Sequence, residues 1–409
     1  MQFNRSIPRL FLVLSMVCFV STPCMAWEDL LLPPSKSPKA IRIATFNVSL
    51  NRKQSGELIT DLKRDDAQAK RLATIIQTVG PDILLVNELD YDAEHSAVRL
   101  FRDEYLHKIP GLQKSMVPIH YDHFFSDAVN TGVPSGMDLN RNGKMNEPDD
   151  AWGFGAFPGQ YGMVVYSRFP IDAKQVRTFR KLKWSSMPQA LRPKLANDRP
   201  FWPEDVWEKL FLSSKSHWDV PITIGNRTLH VLASHPTPPV FDGEEDRNGS
   251  RNHDEIRFWV DYVEGKAADY IVDDQGRKSP LGSQPFVVLG DLNSDPLDGA
   301  GNASAIQSLL RSERVAKFEA PKSRGAIEAS EKQGEANKKH QGSSEQDTAD
   351  FNDKSSGNLR CDFVIPSTEF RVVANGVFWP TTAELQSIDP KLVDASDHRL
   401  VWVDVEWVE

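Results

Sequence analysis

Near its C-terminus the chain reads Val393-Asp-Ala-Ser-Asp397-His398-Arg-Leu400-Val-Trp-Val-Asp-Val405. The apolar run from Leu400 to Val403 predicts a strand, with Asp397 and His398 at its mouth. A strand fixes its first residues rigidly, so a carboxylate and an imidazole placed there are aimed at one point. Four other predicted strand ends carry the same kind of cargo: Thr45-Phe46-Asn47, Val86-Asn87-Glu88, Ala233-Ser234-His235 and Gly290-Asp291-Leu292-Asn293. Asp362, opening Asp362-Phe363-Val364-Ile365, adds a carboxylate on a sixth strand.

The intervening sequence sets the fold class. Ile41 to Val48 alternates and predicts a buried strand ending at Asn47. Leu72, Ile75, Ile76 and Val79 share one face of a predicted helix from Asp66 to Val79, which Gly80-Pro81 stops. Ile83 to Val86 is a second buried strand. Strand, helix and strand in that order predict a layered α/β domain. Gly162 to Tyr166, Thr228 to Ser234 and Pro285 to Leu289 read as further strands. A helix is expected to start after Asn252, capped by that side chain with Glu255 answering. Its buried stripe is Ile256, Trp259, Val260, Val263 and Ala267. Residues 122–160 read as a loop rich in Gly, Pro, Asp and Asn, and residues 313–358 as a charged, solvated excursion. With no repeat or dividing linker, residues 27–409 read as one domain carrying these two polar insertions.

Of 409 residues, 40% are hydrophobic and 26% charged, which is enough apolar material for a large core. Arg5 and Arg9 precede an uncharged run from Leu10 to Val20, and Cys24-Met25-Ala26 offers a small residue for cleavage. Residues 1–26 therefore read as a secretory signal peptide too short to span a bilayer. The expectation is an exported protein, periplasmic or extracellular, without stable membrane insertion; the sequence sets no oligomeric state. Removing those residues takes away two basic groups and no acids, so the net charge of −9 becomes about −11. So acidic a protein lacks the global field of a general nucleic-acid binder. Of three cysteines only Cys361 remains, which excludes an intramolecular disulfide.

Carboxylate and amide oxygens suit a hard cation, Mg²⁺ or Mn²⁺, and such a cation assists phosphoester cleavage. Asp and His supply water activation and leaving-group protonation. No nucleophile elbow for acyl transfer is present. The expected partner is a phosphate-ester substrate, with nucleic acid as the alternative. Asp138, Asn140, Asn142 and Asp149, with Gly143 between them, match a calcium-loop register, so bound Ca²⁺ competes there with a plain Asx-rich turn. A non-catalytic, calcium-stabilised secreted binding protein is the reading from another class, and the full set of site residue types argues against it.

The set Ile43-Ala-Thr-Phe-Asn47, Asn87-Glu88, Ser234-His235, Gly290-Asp291-Leu292-Asn293, Asp362-Phe363 and Ser396-Asp397-His398 resembles the endonuclease/exonuclease/phosphatase superfamily. That group includes pancreatic-type deoxyribonucleases, abasic-site endonucleases, neutral sphingomyelinases and inositol polyphosphate phosphatases. The resemblance runs from about Ile41 to the C-terminus. It implies a four-layered α/β sandwich, two packed mixed β-sheets flanked by helices, with the site where strand ends converge. It implies Glu88 as the main Mg²⁺ ligand, assisted by Asn47 and Asp397. Asp291 would orient or deprotonate the attacking water, and Asn293 would hold the phosphate. His398, aligned by Asp362, would contact the scissile phosphate or move a proton, and His235 would contact phosphate and protonate the leaving group. The deoxyribonuclease branch has a Glu two residues before a Tyr where this chain reads Gly159-Gln160-Tyr161. The expectation is therefore that His235 lacks its carboxylate partner, which tilts the reading from a general DNA cutter. The long polar loop from Asp242 to Asp254 is expected to shape a different substrate pocket, with His217, His253 and Arg251 as its candidates.

Overall fold

Ile41–Leu50 (β1) is buried on both faces and becomes the centre of a six-stranded sheet. The computed structural model describes residues 33–109, 117–265 and 268–409, so the 1–26 leader and Ala267 lie outside the described residues. Strands are numbered in chain order. The first sheet takes β1, β2 (Ile83–Leu89), β3 (His123–Phe125), β4 (Met163–Ser167), β12 (Phe370–Phe378) and β13 (Leu400–Trp407), in the order β12-β13-β1-β2-β4-β3. The second takes β5 (Arg177–Thr178), β6 (His217–Ile224), β7 (Arg227–Ser234), β8 (Phe286–Asp291) and β11 (Asp362–Pro366), in the order β11-β8-β7-β6-β5. A small ribbon pairs β9 (Ala349–Asp350) with β10 (Asn358–Leu359).

Each sheet has one parallel pair at its heart, β1 with β2 and β7 with β8, and its other pairs are antiparallel. The parallel strands bring Asn47, Glu88, His235 and Asp291 out at their C-terminal ends. β11 and β13 run the opposite way, so their first residues arrive at the same edge. The register sets Asp362 directly across from Asp291.

Four layers follow from where the apolar side chains go. Ile43, Leu85, Val165 and Val403 of the first sheet pack against Trp218, Val231, Leu289 and Val364 of the second. The outer face of the first sheet, with Phe46, Leu84 and Val86, is covered by Ala67–Val79 (α1) through Leu72, Ile76 and Val79. Asp66 caps that helix by accepting the amide of Ala69, and Gly80 ends it at φ +65. The outer face of the second sheet meets Arg247–Glu264 (α2) and Ser304–Arg311 (α3) through Ile256, Trp259, Ile306 and Leu309.

Two expectations need correction. α2 begins at Arg247, so Asn252 and Glu255 are helix-interior residues and not caps. Asn252 donates to the carbonyls of Thr237 and Leu292, while Glu255 accepts the amides of Ser214 and Thr237. The start itself is held by the preceding loop: the Asn248 amide donates to Asp242 Oδ2 and its side chain to Val240 O, each at 2.6 Å. Residues 313–358 are not merely solvated: they contain Arg324–Gln333 (α4) and the β9–β10 ribbon. The Arg399 amide donates to Thr348 O at 2.7 Å, and the Asp350 amide to Asp397 O at 2.8 Å. Val315, Phe318 and Ala326 of this segment also pack on the hydrophobic cores, too few and too scattered to show as an apolar run. The 122–160 segment is largely loop, as expected, apart from β3. Among the described residues no helix is long and apolar enough to cross a membrane. Cys361 is buried and unpaired.

Candidate active site

The β1–β2 edge is built under strain. A register shift between Asn47 and Leu50 breaks the ladder, and Ser49 and Glu88 sit at φ +48 and +60. Bulky residues avoid that region, and such conformations cluster at functional sites. The shift turns Asn47 inward, where its amide donates to Glu88 Oε1 and to Asp291 Oδ2, each at 3.1 Å. The second Glu88 oxygen accepts from Asn51 at 2.8 Å. Asn87, on the same strand, accepts the Asp291 amide at 3.1 Å, tying the two sheets together at the site.

Asp291 lies at the centre. Its Oδ2 is 3.3 Å from His235 Nε2 and 3.5 Å from His398 Nε2, and its Oδ1 accepts the Asn293 amide at 2.9 Å. Gly290 makes this convergence possible: at φ +152, a Cβ there would come within 2.1 Å of Ser234 O. Asn293, at φ +51, donates its side-chain amide to Pro236 O. His398 Nδ1 meets Asp362 Oδ2 at 2.9 Å, and Thr348 Oγ1 donates to the same oxygen at 2.9 Å. Thr348 Oγ1 also accepts the amides of Cys361 and Asp362, and the Phe351 ring packs edge-on against His398. Asp397 is exposed and accepts from Ser49 Oγ at 3.0 Å.

The charge states follow from this packing. Burial works to raise the Asp291 carboxyl, but His398, His235 and Asn47 outweigh it and hold it below the usual carboxylate range. Burial pushes Asp362 up to about 6. Burial also acts against charge on His398, yet Asp362 and Asp291 hold its imidazolium well above the ordinary histidine range. His235 is pushed down, first by burial and then by the Lys215 ammonium.

Ligand atoms of Asp291, Asp362 and His398 lie within 4.8 Å of one another, a spacing a cation can bridge. With His398 protonated and bonded to Asp362, however, this trio is better read as a hydrogen-bonded chain. A hard cation fits the neighbouring oxygens: among the described residues the hydrogen bonds to Glu88 come from the neutral amides of Asn47 and Asn51, with His235 Nε2 4.0 Å from its Oε1.

The sequence-derived residues Asn47, Glu88, His235, Asp291, Asn293, Asp362 and His398 thus converge, with Asp397 at the rim. His235 Nδ1 is buried without a hydrogen-bond partner, as the missing Glu led us to expect. A Cβ at Gly159, at φ +95, would come within 2.5 Å of Tyr91 O, so no Glu fits there. Asp138, Asn140, Asn142 and Asp149 stay apart from this centre. Asp138 accepts the amides of Asn142 and Gly143 in an Asx-type turn, and Asp149 lines a cavity instead. Arg251 also lines that cavity, but His217 and His253 do not. His217 is held between Ser213 and Glu255 O, and His253 between Asp254 and Ser304.

Lys215 was not found from the sequence. It is buried, its ammonium forms no hydrogen bond or ion pair among the described residues, and it lines the cavity beside Glu88. Burial pushes it below the usual lysine range against the pull of Glu255, Glu88 and Asp291. The signal that finds it is the β6–β7 hairpin, two alternating runs around Gly225-Asn226, which places Lys215 just before a strand end opposite Ser234.

A profile described as the Endonuclease/Exonuclease/phosphatase family matches residues 44–398. The chain belongs to that family. Endonuclease/exonuclease/phosphatase enzymes are divalent-metal-dependent hydrolases of phosphate esters, and the fold described above is theirs. Among solved structures, the endonuclease/exonuclease/phosphatase from Beutenbergia cavernae is 18% identical, with 90% of this chain and 72% of that one covered and a TM-score of 0.49. The family protein from Bacteroides thetaiotaomicron is 13% identical, covering 91% and 100% at a TM-score of 0.46. Sphingomyelinase C from Streptomyces griseocarneus is 15% identical, covering 89% and 99% at 0.43. No curated protein matches the sequence.

Proposed function

We propose that the protein is an exported, Mg²⁺-dependent phosphoesterase that cleaves its substrate with a water molecule held by Asp291. The observation that carries this reading is the convergence of Asn47, His235, His398 and Asn293 on the one Asp291 carboxylate beside Glu88. A carboxylate held ionised accepts a hydrogen bond from water across the working pH range and orients it toward phosphorus. As the water oxygen bonds to phosphorus it gives one proton to the Asp291 carboxylate, the ester P–O bond breaks, and the leaving oxygen takes a proton from the His398 imidazolium. His398, kept as an imidazolium by Asp362, is a fixed donor at that edge, and His235 is the second imidazole within reach. The unspent Lys215 ammonium offers a donor to the phosphoryl oxygens, and the Asn293 amide, turned from Pro236 O, would offer a second.

Glu88, with Asn47 and Asp397, would hold the Mg²⁺ or Mn²⁺. When bound, the cation supplies positive charge against the phosphoryl and leaving oxygens. Acidic net charge and the orphaned His235 Nδ1 favour a small phosphoester over bulk nucleic acid. Export rests on the Arg5, Arg9 and Leu10-to-Val20 pattern alone.

The test is hydrolysis of p-nitrophenyl phosphate, bis-p-nitrophenyl phosphate and plasmid DNA with Mg²⁺, Mn²⁺ or EDTA. Turnover is expected with metal, absent in EDTA, and reduced about a hundredfold or more in Glu88→Gln. Preference for plasmid would move the reading to an extracellular nuclease. No turnover with any metal, or turnover undiminished by EDTA, would overturn it in favour of a binding protein.

A further inference from the structure

Beside Glu88 and Lys215 opens a cavity of about 490 Å³. That is the size of sites that enclose small organic molecules. Its walls are mainly aromatic and aliphatic: Trp202, Phe211, Tyr161 and Phe154 line it together with Leu139 and Val240. Leu139 and Phe154 come from the 122–160 insertion, Trp202 and Phe211 from residues 182–212, Val240 from the loop before α2, and Tyr161 from the turn entering β4.

These walls are fixed in place. Trp202 Nε1 donates to Leu139 O at 2.9 Å. Arg251 spends its guanidinium on the carbonyls of Trp152, Phe211 and Leu212, stitching the insertion to the opposite wall. Tyr161 and Phe241, both at the cavity, hold φ +59 and +68. Tyr161 is held there by its amide, which donates to Asp90 Oδ1 at 3.1 Å. Phe241 and Phe154 are 87% and 56% exposed, so rings stand at the mouth. Buried Thr237 Oγ1, also at the cavity, has no hydrogen-bond partner.

We propose that this cavity receives the alcohol side of the substrate, and that the substrate is a phosphoester of a flat-ringed alcohol, of benzyl or nucleoside type. This rests on the phosphoesterase reading, which places phosphate at Asp291 and Lys215. With phosphate there, its ester group enters the adjoining cavity. Aromatic faces reward flat rings with stacking as well as burial. A concave cavity of this volume admits one ring system and is too narrow for a duplex.

The experiment compares ethyl, octyl, benzyl and thymidine monophosphates and their methyl diesters, all esters of primary alcohols with similar leaving ability, by chromatography of the released alcohol. The benzyl and thymidine esters are expected to exceed the ethyl esters in kcat/KM by about tenfold or more, the worth of burying one ring. Val240→Trp, which fills the mouth, and Phe154→Ala, at a position 56% exposed, are each expected to shrink that ratio. Equal kcat/KM for ethyl and ringed esters, or preference for the octyl esters, would overturn the proposal. Binding of benzylphosphonate and ethylphosphonate, followed by tryptophan fluorescence, separates the two readings. Tighter benzylphosphonate binding without hydrolysis of any ester keeps the cavity inference and sinks the phosphoesterase one. Equal binding of the two phosphonates counts against the cavity whatever the enzyme hydrolyses.

Discussion

Asp291 collects donors from Asn47, His235, His398 and Asn293, and this crowding, not its residue type, makes it a fixed anion. The same logic in reverse applies to His217, which is buried between Ser213 and Glu255 O and whose pKa burial lowers from 6.5 to about 4. The folded state therefore refuses a proton that the unfolded chain accepts below 6.5. A depressed folded pKa means that stability is full above the unfolded value and lost as pH falls toward the folded one. The unfolding free energy from urea titration is expected to lose about 3 kcal/mol from this one residue between pH 6.5 and 4. His217→Gln should flatten that window, and parallel curves for the two proteins would contradict it. Asn47, Glu88, Asp291, Asp362 and His398 were legible as polar residues ending apolar runs. His217 and His253 were not separable from site histidines, because burial against Phe258 or bonding to Ser304 depends on elements far away in sequence. Lys215 was missed because the strand after it went unread, and a lysine outside a strand looks like surface.

The β-strands were the readable elements, since alternation and apolar runs report burial directly. The start of α2 was not, because Arg247-Asn-Gly-Ser looks like a turn and its first turn is anchored by the preceding loop, through Asn248 bonded to Asp242 and Val240. The 313–358 segment was the larger misreading. Its composition predicts solvent, yet Thr348 holds Asp362 and two backbone amides in place behind His398. Thr348 is thus a positioning residue. Thr348→Val keeps the shape and deletes the hydroxyl, at an expected cost of about 1–3 kcal/mol from the stranded amides. Because the imidazole would be less well aligned, kcat should fall about tenfold with KM little changed. A kcat equal to wild type, at the same loss of stability, would show that the segment only supports the fold.

Two sheets, each with a parallel pair at its heart, face one another across Ile43, Leu85, Trp218 and Leu289, and both deliver side chains to one edge. The site therefore exists only while the two sheets stay registered, which Asn87 and Asn47 enforce by bonding Asp291 across the gap. Farther from the site, buried Arg42 on β1 grips Asp404 on β13 with two bonds of 2.7 Å and donates to Val79 O. Arg42→Met leaves Asp404 buried without its cation. It is expected to cost about 3–5 kcal/mol, read as a lowered urea midpoint, and an unchanged midpoint would show the pair to be dispensable. The layered class was legible from strand–helix–strand order, but the pairing of distant strands such as β8 with β11 was carried by no local pattern. The central claim is that Asp291 holds the attacking water, and the most direct test is kcat for bis-p-nitrophenyl phosphate in Asp291→Asn against wild type, at saturating Mg²⁺ and matched folding. Asn keeps the shape and removes the charge, so a fall of about a thousandfold or more is expected. Activity within tenfold of wild type would contradict the assignment.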